Sequence, residues 1–416
     1  MNNIAKDNIA MESKEHLSSK FAFRVLLALV WTRYTVLPYI RAVVLRLPIV
    51  SYFADWVIPI LITGALILAL PYMCKKIRNY DILFYIGCVL FVVLSCVLYP
   101  KNAPYIFGDA WRILGMAVPF YFLGICYDHE THKNDLFWCS LIGVLSMGAY
   151  LFLVLSQREL NDDRMNAAYN VLPSILYLIY WACEKKKIRY WLFVVFGVIL
   201  AFAYGTRGVV VSIAVYGALL LIHNMFVGVF GTTKIIVAVL AIVLICLVVF
   251  TPLVTTVATY MSTLFQQIGV SSRIFDFFLE GELTTSVGRD NIREQILISI
   301  RKNWILGTGL MGDRVVTGGS YAHNLFLELW CQFGVIFGSL MAVCFILIPL
   351  KTLYRVRNNK SAFVIVLLFV CMVFIKLMMS SSYIVDSDFF FVMGFCISSS
   401  KYTVLQDSGE KMVVEK

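Results

Sequence analysis

The feature that most constrains this chain is a succession of apolar runs separated by short polar breaks, each near the ~20 residues a helix needs to cross a bilayer. Inside hydrocarbon no water satisfies backbone N–H and C=O groups, so such runs fold as helices that close their own hydrogen bonds. The runs fall at 24–45, 56–74, 82–99, 111–127, 136–156, 169–183, 190–204, 208–224, 235–251, 322–349, 361–379 and 388–400. The reading is an all-α polytopic membrane protein with about twelve transmembrane helices. Of its 416 residues, 60% are hydrophobic and 14% charged, and mean hydropathy is +0.82. A soluble domain is nearer half apolar and a quarter charged, so soluble, disordered, coiled-coil and disulfide-scaffold classes are excluded. The 11 cysteines lie within or beside apolar runs and show no disulfide or zinc spacing. The polar N-terminal stretch lacks the pattern of a cleaved signal peptide and is expected to be retained.

The stretch 190–222 is apolar throughout except for Gly205-Thr206-Arg207-Gly208. As one helix it would measure ~50 Å against a ~30 Å hydrocarbon core. It is read as two spans joined by a tight glycine turn that carries an arginine. The basic loops Lys75-Lys76-Ile77-Arg78, Glu184 through Arg189 and Lys351 through Lys360 fall on one side of a twelve-span map. Basic loops stay in the cytoplasm. The domain map is then a cytoplasmic tail at 1–23, nine helices within 24–251, a long outer loop at 252–321, three helices within 322–400, and a cytoplasmic tail at 401–416.

On this map 20 of the 35 basic residues are cytoplasmic, 15 of them Lys, whereas 10 of the 12 outer ones are Arg. Orientation alone does not demand arginine over lysine. A guanidinium fork holds phosphate through two parallel hydrogen bonds where lysine offers a point charge. Arg112, Arg158, Arg164, Arg207, Arg289 and Arg293 are therefore candidate anion ligands. The plainer alternative pairs them with nearby acids such as Asp109, Glu159, Asp290 and Glu294.

Of five histidines, only His323 reaches the outer face. It opens a run in which Asn324, Glu328 and Gln332 recur every four residues as one polar stripe, followed by Gly334 and Gly338. Polar groups in a membrane helix face a cavity or a partner, and such glycine spacing lets two membrane helices approach closely. A neutral helix-end histidine is the plainer reading of His323. Upstream, Ser286 or Asp290 begins a helix on which Arg289 and Arg293 share a face; its apolar residues do not segregate, so packing on several sides is expected. Asp386-Ser387-Asp388 has an aspartate spacing used with metals in nucleotide-sugar enzymes, but a helix cap is the better reading. The same holds for Asp55. Gly307-Thr308-Gly309-Leu310-Met311-Gly312 follows GxGxxG with no preceding strand, which argues against a dinucleotide site.

Arg207 at an outer turn, Gly288-Arg289 in a long outer loop, Trp304, Gly307-Thr308-Gly309, and His323-Asn324 opening a span with Gly334 and Gly338 come in this order. Over about 200–340 this order resembles the O-antigen polymerase and O-antigen ligase superfamily, the Wzy/WaaL-type polytopic glycosyltransferases with a C-type membrane fold. The resemblance implies metal-independent glycosyl transfer without a cofactor, from an undecaprenyl-diphosphate-linked oligosaccharide, in the bacterial inner membrane with the site facing the periplasm. It assigns Arg207 and Arg289 to the pyrophosphate and His323 to the acceptor hydroxyl. Arg293 is added from spacing, with Arg112, Arg158, Arg164, Asn324 and Glu328 in support. Membrane lipid and a chain-length regulator protein are the further partners implied, and nucleic acid is not one.

The long, poorly patterned N-terminal half favours a polymerase of lipopolysaccharide biosynthesis over a ligase that uses lipid A-core as acceptor. A flippase for anionic lipid-linked glycan would also need outer arginines, but it should carry basic groups along its whole path. A cytoplasm-active reporter fused after Lys187 or Arg357 is expected to be active, and one fused within 270–315 inactive. The opposite pattern would invert the map.

Overall fold

A computed structural model describes residues 2–44, 48–157, 164–204, 206–226, 259–264, 267 and 289–407. Among these residues every regular element is helical: α1 (Asn2–Val44), α2 (Pro48–Cys74), α3 (Asn79–Leu98), α4 (Ala103–Ala110), a π-turn (Trp111–Ala117), α5 (Pro119–Cys126), α6 (His129–Gln157), α7 (Arg164–Lys185), α8 (Ile188–Tyr204), α9 (Arg207–Phe226), α10 (Asp290–Lys302), α11 (Gly312–Thr317), α12 (Leu325–Arg355), α13 (Lys360–Met379) and α14 (Ser387–Asp407). Among the described residues six stretches are long and apolar enough to cross a membrane: Asn79–Leu98, Pro100–Cys126, His129–Leu153, Arg207–Met225, Leu325–Arg355 and Lys360–Met379. The protein is thus an all-helical membrane protein. The predicted span 235–251 and residues 252–258, 265–266 and 268–288 of the predicted outer loop lie outside the described residues.

Several boundaries differ from the sequence reading. Residues 2–23, read as a tail, belong to α1, and Asp55 lies inside α2 rather than capping it. The 252–321 segment contains α10 and α11. The tenth predicted span starts at Leu325, not 322, because Asn324 caps it; His323 is consequently outside the helix.

The described chain divides into two compact units, one drawn from Met1–Leu27, Ile62–His132 and Ser286–Lys416, the other from Ala28–Leu61 and Lys133–Thr285. In the first, α5 and α14 touch backbone to backbone. A Cβ on Gly124 would lie 2.0 Å from the Phe391 carbonyl oxygen, and one on Gly394 2.1 Å from that of Tyr121. Only glycine permits that approach, in which close van der Waals packing substitutes for a hydrophobic driving force. In the second unit α7 is buried along its length, with Val171, Ile175 and Tyr177 fully enclosed, and Ile175 fills the space over Gly197 of α8. Tyr204 ties this unit by donating to the Met147 carbonyl at 2.7 Å.

The feature that shapes the first unit is a break in α12. Gly334 has φ 74° and ψ 170°, so the helix is two segments, 325–333 and 335–355. The Trp304–Gly309 turn enters the break. Thr308 N donates to Cys331 O and Gly309 N to Gln332 O, both at 2.8 Å, while Val335 N donates to Trp304 O at 2.7 Å. The Thr308 hydroxyl adds a bond to Cys331 O at 2.9 Å. Three backbone groups at the break, Cys331 O, Gln332 O and Val335 N, are thereby satisfied, as buried backbone requires. The Gly334/Gly338 pair was expected to seat a second membrane helix. Instead a Cβ on Gly334 would meet Ile305 O at 2.1 Å and one on Gly338 Leu329 O at 2.6 Å, so both serve the break itself.

Gly334→Ala should therefore be severe. It adds ~1–3 kcal/mol for a backbone conformation essentially reserved for glycine to the ~1–3 kcal/mol typical of forced overpacking. Gly217→Ala, inside α9 and with nothing within 4 Å of the new methyl, should instead raise the melting temperature in detergent slightly, since alanine is favoured over glycine in a helix interior by ~0.5–1 kcal/mol.

Candidate functional site

The C-terminal end of α13 organises the site. Its last carbonyls have no partner within the helix, and three residues of the predicted site region dock on them. Arg289 donates from Nη1 to Met379 O, Tyr321 from its hydroxyl to Ser380 O at 2.6 Å, and Asn324 from Nδ2 to Met378 O at 3.4 Å. The negative end of the helix dipole also favours the Arg289 cation. Asn324 turns its Oδ1 to the first turn of α12, accepting from Phe326 N at 3.1 Å and Leu327 N at 3.2 Å, the work of an N-cap.

Between these anchors His323 has a left-handed backbone, φ 54°, and its ring packs on Tyr321 with centroids 4.0 Å apart. Its Nδ1 is buried without a hydrogen-bond partner among the described residues. Burial lowers the imidazole to about 4, and the positive charge of Arg289 pushes in the same direction. His323 is thus neutral at neutral pH and carries a lone pair able to take a proton.

A buried polar cluster lies in the same unit. Asp313 and Glu328 are fully buried and Arg314 nearly so. Arg314 Nη1 sits 3.1 Å from Asp313 Oδ1 and 3.6 Å from Glu328 Oε1, and its Nη2 donates to Ser382 Oγ at 2.9 Å. Ser382 in turn donates to Glu328 Oε1. Gln332 Nε2 donates to Asp313 Oδ1 at 2.8 Å and its Oε1 accepts from the Tyr383 hydroxyl at 2.9 Å. Asp313 also accepts from Ala322 N, which pins the approach to His323. The polar stripe on α12 is as expected: Asn324, Glu328 and Gln332 all find partners. The sequence reading missed Asp313, Ser382 and Tyr383, and it counted Arg314 only among the outer arginines. No spacing links a short helix at 312–317 to a loop near 382.

The other predicted residues are placed as follows. Arg207 is the first residue of α9, half-buried, and belongs to the second unit. Arg293 is exposed on the first turns of α10, without an ion pair to Asp290 or Glu294. That helix buries one face through Ile296, Ser299 and Ile300, so the packing on several sides that was expected is not found. Arg112 pairs with Asp109 at 3.1 Å, largely exposed, as the plainer alternative held. Arg158 and the Arg164 side chain lie outside the described residues. Asp386 caps α14, accepting from Asp388 N at 3.0 Å and Phe389 N at 3.2 Å. Lys376 lies 2.8 Å from Asp386 and 3.3 Å from Asp388. These aspartates are occupied structurally.

Residues 192–338 match the sequence model of a family described as O-Antigen ligase. That match supports the resemblance to the O-antigen polymerase and ligase superfamily. The matched stretch holds Arg207, Arg289, His323 and the whole α12 break. No curated protein matches the chain. A superfamily of glycosyltransferase-like enzymes leaves the transporter reading without support.

Removing one partner of a buried ion cluster strands the others and typically costs ~3–5 kcal/mol. Arg314→Ala should therefore lower the melting temperature of the purified protein far more than Arg112→Ala, whose exposed pair contributes ~0–1 kcal/mol. Equal effects of the two would show that the cluster carries no structural load.

Proposed function

We propose that the protein is a surface-polysaccharide polymerase that joins undecaprenyl-diphosphate-linked oligosaccharide repeat units at the outer face of the bacterial cytoplasmic membrane. The observation that carries this reading is the convergence of Arg289 and His323 at the end of α13, inside the family-matched stretch. In glycosyl transfer the acceptor hydroxyl attacks the donor sugar's anomeric carbon, the carbon–oxygen bond to pyrophosphate breaks, and the hydroxyl proton leaves. Neutral His323 takes that proton. Arg289, with Arg293 four residues on, meets the charge that develops on the pyrophosphate, an effect strongest where the donors are already oriented. Arg289 is so oriented by its bond to Met379 O. Tyr321 and Asn324 position the histidine, and Glu328 acts through the buried cluster rather than on substrate. Membrane lipid surrounds the donor's prenyl chain, and a chain-length regulator protein is a further partner of this reading.

A second reading has a specific observation in its favour, since the matched family is described as a ligase. Both reactions use the same donor and differ in acceptor: another lipid-linked glycan, or lipid A-core. The lipopolysaccharide of a deletion strain separates them. A single repeat on core marks loss of a polymerase, whereas core without O-antigen and accumulated lipid-linked polymer mark loss of a ligase.

A general base supplies ~10²–10⁴ in rate, so His323→Ala should lower turnover by that order with protein levels unchanged. His323→Gln tests proton transfer apart from hydrogen bonding; wild-type turnover in that variant would reduce the histidine to a positioning role. The acid limb of kcat/KM should fall near pH 4, where the histidine gains its proton, and a limb near 6.5 would contradict the buried imidazole. Lysine at 207 or 289 keeps charge but loses the fork, and both variants should lose most polymer; near-normal chains in both would make the arginines structural.

A further inference from the structure

In one straight helix, residues 329 and 338 would be separated by roughly 13 Å at ~1.5 Å per residue. Here Leu329 O lies 2.6 Å from the position of a Gly338 Cβ. Segment 325–333 therefore folds back across the start of 335–355 instead of extending it. The second segment alone measures roughly 31 Å, enough to cross a ~30 Å hydrocarbon core. Exposure follows the same division. Ile336, Phe337, Leu340, Val343, Leu347 and Leu350 are exposed in a stripe down 335–355, whereas no large hydrophobic of 325–333 is exposed.

An exposed apolar group lies beside the start of this segment. Trp304, Ile305 and Leu306 are 52%, 48% and 69% exposed. Their height is fixed by the backbone, because Trp304 O accepts from Val335 N, the first residue of the stripe-bearing segment. Immediately before them, Arg301 and Lys302 are exposed at the end of α10. The order is cations, then an indole, then two aliphatic side chains, all turned outward from one tight turn.

We infer that Trp304, Ile305 and Leu306 are a membrane anchor that enters the headgroup–acyl boundary of the leaflet at the N-terminal end of 335–355, with Arg301 and Lys302 at lipid phosphates. Tryptophan suits that boundary because its body is apolar and its N–H still finds a polar partner. The basic side chains lay their stems along apolar surface and keep their heads in the polar layer. The partner is the lipid surface itself. One consequence is that the membrane boundary runs at Gly334. Segment 325–333, with Glu328 and Gln332, and the adjoining His323 then sit at the polar face of that boundary and not within hydrocarbon. The inference does not depend on the glycosyl-transfer reading.

The test uses the full chain in liposomes of phosphatidylcholine brominated either near the glycerol end or near the methyl end of its acyl chains. The chain has 8 tryptophans, so Trp304 is read as the difference in emission between wild type and Trp304→Phe. That difference emission should be lost more completely with shallow bromines than with deep ones. Leu306→Trp adds a reporter two residues away on the same tip and should show extra emission with the same order of quenching, which carries the test if Trp304→Phe fails to reach the membrane. Emission unaffected by either lipid would mean that water or protein covers the tip, and stronger loss with deep bromines would place it in the hydrocarbon; each result overturns the inference.

Discussion

The first unit depends on the backbone hydrogen bonds made where α12 is interrupted. An interrupted helix frees carbonyls on one side of the break and amides on the other, and in an apolar environment each unsatisfied group costs several kcal/mol. Here Thr308 N, Gly309 N and the Trp304 carbonyl pair with Cys331 O, Gln332 O and Val335 N. The geometry requires glycine at 307, 309 and 334, each with positive φ. Because both sides are stitched to one turn, α10, α11 and the two segments of α12 are held as a single piece. That piece carries His323 at one edge and the Trp304 tip at another.

Two further tethers turn this piece into a site. The carbonyl end of α13 receives Arg289, Tyr321 and Asn324, which sets the histidine between a cation and an aromatic ring. The Asp313–Arg314–Glu328 cluster locks α11 to α12 and to the loop at 382. Its value is geometric. Buried ion clusters contribute little net stability compared with apolar packing, but they admit few alternative arrangements. The neutral state of His323 follows from the same enclosure, since burial and Arg289 both disfavour the imidazolium. An imidazole that stays unprotonated beside Arg289 is compatible with the base role proposed for it.

The sequence by itself determined the class of protein. Apolar runs near bilayer length admit helices and little else, and the break between α8 and α9 at Gly205–Thr206 was legible because one helix across it would be too long. The Asn324–Glu328–Gln332 stripe and the capping role of Asp386 were also legible, since both rest on spacing within a few residues. The motif order carried the resemblance that the family match over 192–338 supports. What only the tertiary structure decided are features that depend on residues far apart in the chain. Gly334 and Gly338 read as a helix-packing pair, because period alone cannot show that a turn 25–30 residues upstream enters the helix. Asp313, Ser382 and Tyr383 carry no pattern of their own, and their role exists only because three separate elements meet around Arg314. The start of α12 moved past His323 for a local reason that hydropathy averages over: a cap needs an extended residue with a side-chain acceptor, and Asn324 supplies it. Hydropathy fixes how many residues are apolar along a segment; hydrogen-bond demand at its ends and breaks fixes where the helix stops, and that demand is met by residues brought together only in the folded chain.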